Sequence, residues 1–238
     1  QRVHTLVAAY REDDPELRYG EALARADVPA NHTWRPFQLA FVLLNLPALS
    51  DPKHVERRPA EGLVDLLFFP TGGGKTEAYL GLTAFTLAIR RLQGVLGGFD
   101  GSDGVGVLMR YTLRLLTAQQ FQRAATLISA CEIERRERAA AGDGRLGATP
   151  FRIGMWVGGS VAPNRVAEAR DAVEKARGLR GKGVGGADPL QIISCPWCGG
   201  QIEPGRDTRV DSDLQRFLVF CGDPLGQCPF AGARSADP

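Results

Sequence analysis

No run of about 18 apolar residues occurs in the 238-residue sequence, so no segment reads as a membrane-spanning helix. The longest apolar stretch, FQLAFVLLNLPAL, is broken by Gln38, Asn45 and Pro47 and reads as a buried helix. Neither sign of charge dominates: 29 basic and 27 acidic residues leave a net charge of +2, so any attraction to nucleic acid must come from local clusters. Histidine is scarce, and His4, His32 and His54 form no ligand spacing with one another or with the cysteines. Secretion and lipidation signals are missing as well, which makes the cytoplasm the expected location. The chain opens on Gln1 and closes on GARSADP without a terminating element, as expected of a segment of a longer protein.

What the sequence does contain is an alternation of apolar segments and helical patterns. Residues 1–62 read as an N-terminal helical region in which LRYGEALARA has helical spacing and Pro36 suits the first turn of a following helix. Residues 63–69 form an apolar strand candidate without polar alternation, as in a strand covered on both faces. A helix is expected over 76–93, a second strand over 105–111, a long helix after it, and a third short strand in FRIGMWVGG. This order predicts an α/β fold of the P-loop NTPase (RecA-like) kind, a parallel sheet flanked by helices, over residues 63–177. The mixed charges of residues 163–177 argue for a solvated helix, 178–191 for a flexible linker, and 192–238 for a small cysteine-bearing insertion.

The stretch LFFPTGGGKTEAYLGL carries the chemistry. Backbone N–H groups of a glycine-rich turn at a helix start converge on phosphate oxygens, and the helix dipole adds to the attraction. In that arrangement Thr71, Gly72, Gly73 and Gly74 let the main chain approach the ligand, Lys75 neutralises the β and γ phosphates of ATP, and Thr76 places its hydroxyl on Mg²⁺. The general pattern has glycine five residues before Gly74, where this sequence has Phe69.

PTGGGKT resembles motif I of superfamily 2 helicases, and further elements fall in that family's order. RPFQ, with Arg35 and Gln38, resembles the element that reads adenine. TLRLLTAQ resembles motif Ia, with Arg114 matching and Thr112 standing in place of proline. Gly158 and Gly159 in WVGGS resemble a pair that touches the nucleic-acid backbone. Over residues 34–130 the match narrows to the helicase subunit of the DISARM bacterial anti-phage systems, carried by the string RYTLRLLT. The resemblance implies an ATP-dependent DNA helicase or translocase that pairs with a second defence-system subunit. Such enzymes also need an Asp-Glu motif for Mg²⁺ and the attacking water, and no Asp-Glu dipeptide occurs here. These residues alone are therefore expected to bind nucleotide without hydrolysing it, with the remaining part of the chain supplying the motif.

Four of the five cysteines crowd the end of the sequence. Cys195 and Cys198 sit in the knuckle CPWCG, while Cys221 and Cys228 are set wider, in CGDPLGQC. Four thiolates in this order suit a tetrahedral Zn²⁺ site of zinc-ribbon type, with reduced core cysteines or a redox pair as alternatives. Cys131 reads as a small buried apolar residue. Three readings follow: an ATP-dependent DNA motor segment, a nucleotide- or nucleic-acid-binding module without motor activity, or a P-loop NTPase of unrelated purpose.

Overall fold

The computed structural model describes residues 1–58, 60, 62–70, 72–111, 114–158, 161–178, 190–203, 205–211, 213, 215–223 and 226–231, with backbone alone for 114–118 and 175–178. The chain divides into two compact units, Gln1–Asn31 with Leu115–Thr126 and Gly154–Pro238, and His32–Arg114 with Leu127–Ile153.

In the second of these units, α3 (Pro36–Ser50) packs on α4 (Lys75–Gln93). Proline at the first turn costs α3 no hydrogen bond, and Gln38 returns its side-chain oxygen to the Arg35 N–H at 2.9 Å, so one of the orphan donors of the helix start is satisfied. The helices interlock where Phe41 meets Tyr79 edge-on at 5.7 Å, and Trp34, just before α3, lies over Gly81 of α4. A Cβ at Gly81 would stand 2.5 Å from the Trp34 ring, so a larger residue there would displace the indole. Gly94 ends α4 at φ 62°, and a short antiparallel hairpin follows, β1 (Val95–Leu96) paired with β2 (Phe99–Asp100). The glycine-rich loop after α4 thus contains a hairpin that its composition did not announce.

The C-terminal half of α5 (Arg114–Ala140) holds a buried acid in the same unit. Glu132 is 4% exposed and accepts from Arg135 at 2.7 Å, from Arg136 at 2.8 Å and from the Phe151 N–H at 3.0 Å. Burial alone would raise its carboxyl, but these hydrogen bonds outweigh burial and bring it down to about 2. Arg91 of α4 stacks on Phe151, 3.7 Å from the ring centroid, and donates to the carbonyls of Leu146 and Thr149. The two arrangements pin the loop after α5 from both sides.

In the other unit, α1 (Arg2–Asp13) and α2 (Tyr19–Ala26) close over Val7, Ala22 and Ala26, all fully buried. The cysteine region supplies β3 (Thr208–Asp211), antiparallel to β4 (Arg216–Val219), with Thr208 opposite Val219 and Asp211 opposite Arg216. Between them in sequence and α5 lies α6 (Val166–Gly178), whose Ala169 and Val173 are buried.

The two hairpins are the only multi-residue ladders among the described residues. The expected strands 63–69, 105–111 and 151–158 carry no strand assignment, and the first exposes Val64 (95%), Leu66 (84%) and Phe68 (88%). No helix among the described residues is long and apolar enough to cross a membrane.

Candidate phosphate loop and metal centre

The loop at the start of α4 is built by the chain's own glycines and held by the start of α3. Gly72 and Gly74 lie at φ 78° and 87°, in the left-handed region that favours glycine. Gly74 is the N-cap of α4, which places Lys75 and Thr76 on the helix's first turn. The Lys75 ammonium donates to the carbonyl oxygens of Phe69 and Pro70, folding the side chain back along the loop. Arg35 donates to the Gly73 carbonyl at 2.8 Å, and Gln38 Nε2 donates to the Gly74 carbonyl at 2.8 Å. Phe37 stacks on Phe69 with centroids 3.9 Å apart and planes 12° apart. The aromatic residue that departs from the glycine pattern therefore has a packing role.

Arg35 and Gln38 lie against the loop of Gly72, Gly73, Gly74 and Lys75, bonded to its carbonyls, while Thr71 lies outside the described residues. Of the nucleic-acid candidates, Arg114 is the first residue of α5, with its side chain outside the description, and Thr112 and Gly159 also lie outside it. Gly158 is described, and its carbonyl accepts from the Val161 N–H at 2.8 Å.

The cysteines converge fully. Cys195, Cys198, Cys221 and Cys228 are buried, and their sulfurs all lie within 4.8 Å of one another. Cys195 Sγ is 3.8 Å from Cys228 Sγ, and Cys198 Sγ is 3.4 Å from Cys221 Sγ. Both separations exceed the ~2 Å of a disulfide. They approach the roughly 3.8 Å edge of a tetrahedron whose metal–sulfur bonds are about 2.3 Å. The first knuckle turns through Gly199, at φ 72°, with the Gly199 N–H donating to the Cys195 carbonyl at 2.9 Å. In the wider second half, the Asp223 carboxylate accepts from the Cys228 N–H at 2.8 Å, bracing the six-residue interval. Hydrogen bonding among the crowded sulfurs lowers the pKa of Cys198 and raises those of Cys195, Cys221 and Cys228, so all four ionise together only against a cation. A buried set of four thiolates needs a cation to neutralise it. The donor set and spacing together can hold a metal ion such as zinc.

The surroundings of this centre were not legible in the sequence. His4 of α1 stacks on Trp197 at 3.4 Å and shares a hydrogen bond of 3.0 Å with the Trp197 carbonyl through Nδ1. Arg11 donates to the Cys198 carbonyl at 2.6 Å, and on the other flank Thr126 of α5 donates to the Pro196 carbonyl at 2.9 Å. Burial lowers the pKa of His4, which serves the knuckle as a packing partner. Cys131 stands apart, half-buried, its thiol pushed up to about 11 by burial and so unreactive at neutral pH.

Four buried cysteines thus form a candidate metal centre, in a chain that also carries a lysine-bearing glycine loop at a helix start. No family model matches the chain. It is similar to the DISARM protein DrmA of Bacillus paralicheniformis, with 45% identity over 205 residues, which cover 80% of this chain. The resemblance seen in RYTLRLLT and its neighbours is borne out by that similarity. The matched region spans 17% of the relative's length.

Proposed function

We propose that this chain is the nucleotide-binding segment of an ATP-dependent DNA helicase or translocase acting in DISARM anti-phage defence. The observation that carries the reading is the 45% identity to DrmA in a chain whose Lys75 loop is assembled at the start of α4. In this reading the loop amides and Lys75 hold the phosphates of ATP, Thr76 meets Mg²⁺, and nucleotide enters by drawing the lysine off the Phe69 and Pro70 carbonyls. Arg114, with Thr112, Gly158 and Gly159, contacts the DNA backbone. The four cysteines hold zinc, which stabilises a region too small to be held by its own apolar core. In this reading residues 63–69 form the first strand of a RecA-like parallel α/β sheet, and the exposure of three apolar side chains there, Val64, Leu66 and Phe68, supports a segment that is to be covered on both faces. A second defence-system subunit is the partner of the complete assembly.

Hydrolysis is assigned to the full-length chain, because these 238 residues contain no Asp-Glu pair to organise Mg²⁺ and the attacking water. The test is Lys75→Ala in the full-length chain, with DNA-stimulated ATPase activity and phage restriction as readouts. Loss of both supports the motor. Undiminished restriction by Lys75→Ala supports a binding module without a motor cycle.

A further inference from the structure

Gln38 matches an element whose glutamine reads adenine in superfamily 2 helicases, but its geometry here directs it elsewhere. Both ends of its amide are engaged within the chain. Oε1 accepts from the Arg35 N–H at 2.9 Å, and Nε2 donates to the Gly74 carbonyl at 2.8 Å. The orientation of the amide is fixed by these partners, since an N–H can only donate and a carbonyl can only accept. The side chain is 5% exposed, the one buried residue of α3, in a helix that otherwise leaves Leu39, Leu43 and Leu44 open. A Cβ at Gly74 would lie 2.7 Å from Gln38 Nε2, so the left-handed glycine and the amide are fitted to each other. Arg35 makes the neighbouring contact to the Gly73 carbonyl, and Phe37 covers Phe69.

We propose that Gln38 is a positioning residue for the phosphate loop: it fixes the carbonyl of Gly74, and with it the peptide that leads into Lys75, and acts on the phosphates of any nucleoside triphosphate through that loop, with no contact to the base. Three handholds, Arg35, Phe37 and Gln38, join the start of α3 to the loop at Gly73, Phe69 and Gly74. A loop whose carbonyls are held from outside presents its amides to phosphate already ordered, which lowers the ordering cost of binding. The proposal rests on the nucleotide reading above.

The experiment compares MgATP, MgGTP and base-free magnesium tripolyphosphate on the full-length chain, by calorimetry well below the melting temperature. Gln38→Glu keeps the size and the acceptor for the Arg35 N–H but sets a carboxylate oxygen against the Gly74 carbonyl. The expected result is a weakening of all three ligands by a common factor of about ten. Loss confined to MgATP, with tripolyphosphate unchanged, overturns the proposal and makes Gln38 a base reader. A lower melting temperature with all three affinities intact also overturns it, leaving Gln38 a helix cap only. If the wild type binds none of the three ligands, the nucleotide reading itself fails and this assignment with it. Should the carboxylate prevent folding, Gln38→Met, which fills the same volume without polar atoms, gives the same comparison.

Discussion

Phe37 and Phe69 lie face to face, ring centroids 3.9 Å apart and planes within 12° of parallel. Phe69 holds the position where phosphate loops of this pattern usually carry glycine, so the stack replaces backbone freedom with an aromatic clasp. Phe69→Gly is expected to destabilise the protein by about 1 kcal/mol or more through loss of the stack, and Phe37→Ala by a similar amount. The double variant should cost less than the sum, because either change alone already dissolves the pair. Urea denaturation of the four proteins measures the coupling. Additive costs would mean that the rings stabilise the protein independently.

Removal of metal should act at a distance in sequence. Trp197 lies between two of the cysteines and stacks on His4, while Arg11 holds the Cys198 carbonyl. Wild-type protein is expected to carry about one zinc per chain by atomic absorption, and Cys198→Ser to carry much less. The same variant should speed amide exchange along Arg2–Asp13, because α1 loses the rigid surface on which it rests. Protection of α1 that survives loss of the metal would show that the helix pair is held by Val7, Ala22 and Ala26 alone.

The Glu132 carboxyl sets a pH dependence. Its folded value of about 2 lies below its usual 4.5, so its contribution is fully present above pH 4.5 and is lost as pH falls towards 2. The shift corresponds to a contribution on the order of 3 kcal/mol. Glu132→Gln should therefore be markedly less stable than wild type at pH 7, and the gap should close steadily below pH 4.5. Guanidinium denaturation across that range is the check, and a gap independent of pH would refute the ionic account.

Local signals in the sequence translated well. The helix expected over 76–93 is observed at Lys75–Gln93, the long helix after the second strand candidate at Arg114–Ala140, and the charged helix of 163–177 at Val166–Gly178. Each is fixed by near neighbours: the periodicity of its own apolar residues and a glycine or polar break at an end. The CPWCG knuckle was legible for the same reason, since a turn between two ligands is a property of five consecutive residues. The hold of Gln38 on Gly74, the clamp of Arg91 on Phe151 and the seat of α1 against Trp197 were not legible. Each joins residues far apart in the chain, and no periodicity encodes which distant carbonyl a guanidinium will find. A strand suffers from the same limit, because residues 63–69 can declare an apolar segment but cannot name the neighbour that completes a ladder.

The contacts of α1 with the knuckle also impose an order in time. His4 meets Trp197, 193 residues later, and Arg11 meets Cys198, 187 residues later. At ribosomal rates of about 5–20 residues per second, the first helix waits on the order of 10 to 40 seconds before its partner surface exists. During synthesis α1 and α2 first pair with each other over Val7, Ala22 and Ala26, and the cysteine knuckle arrives as the latch that closes a structure begun long before it.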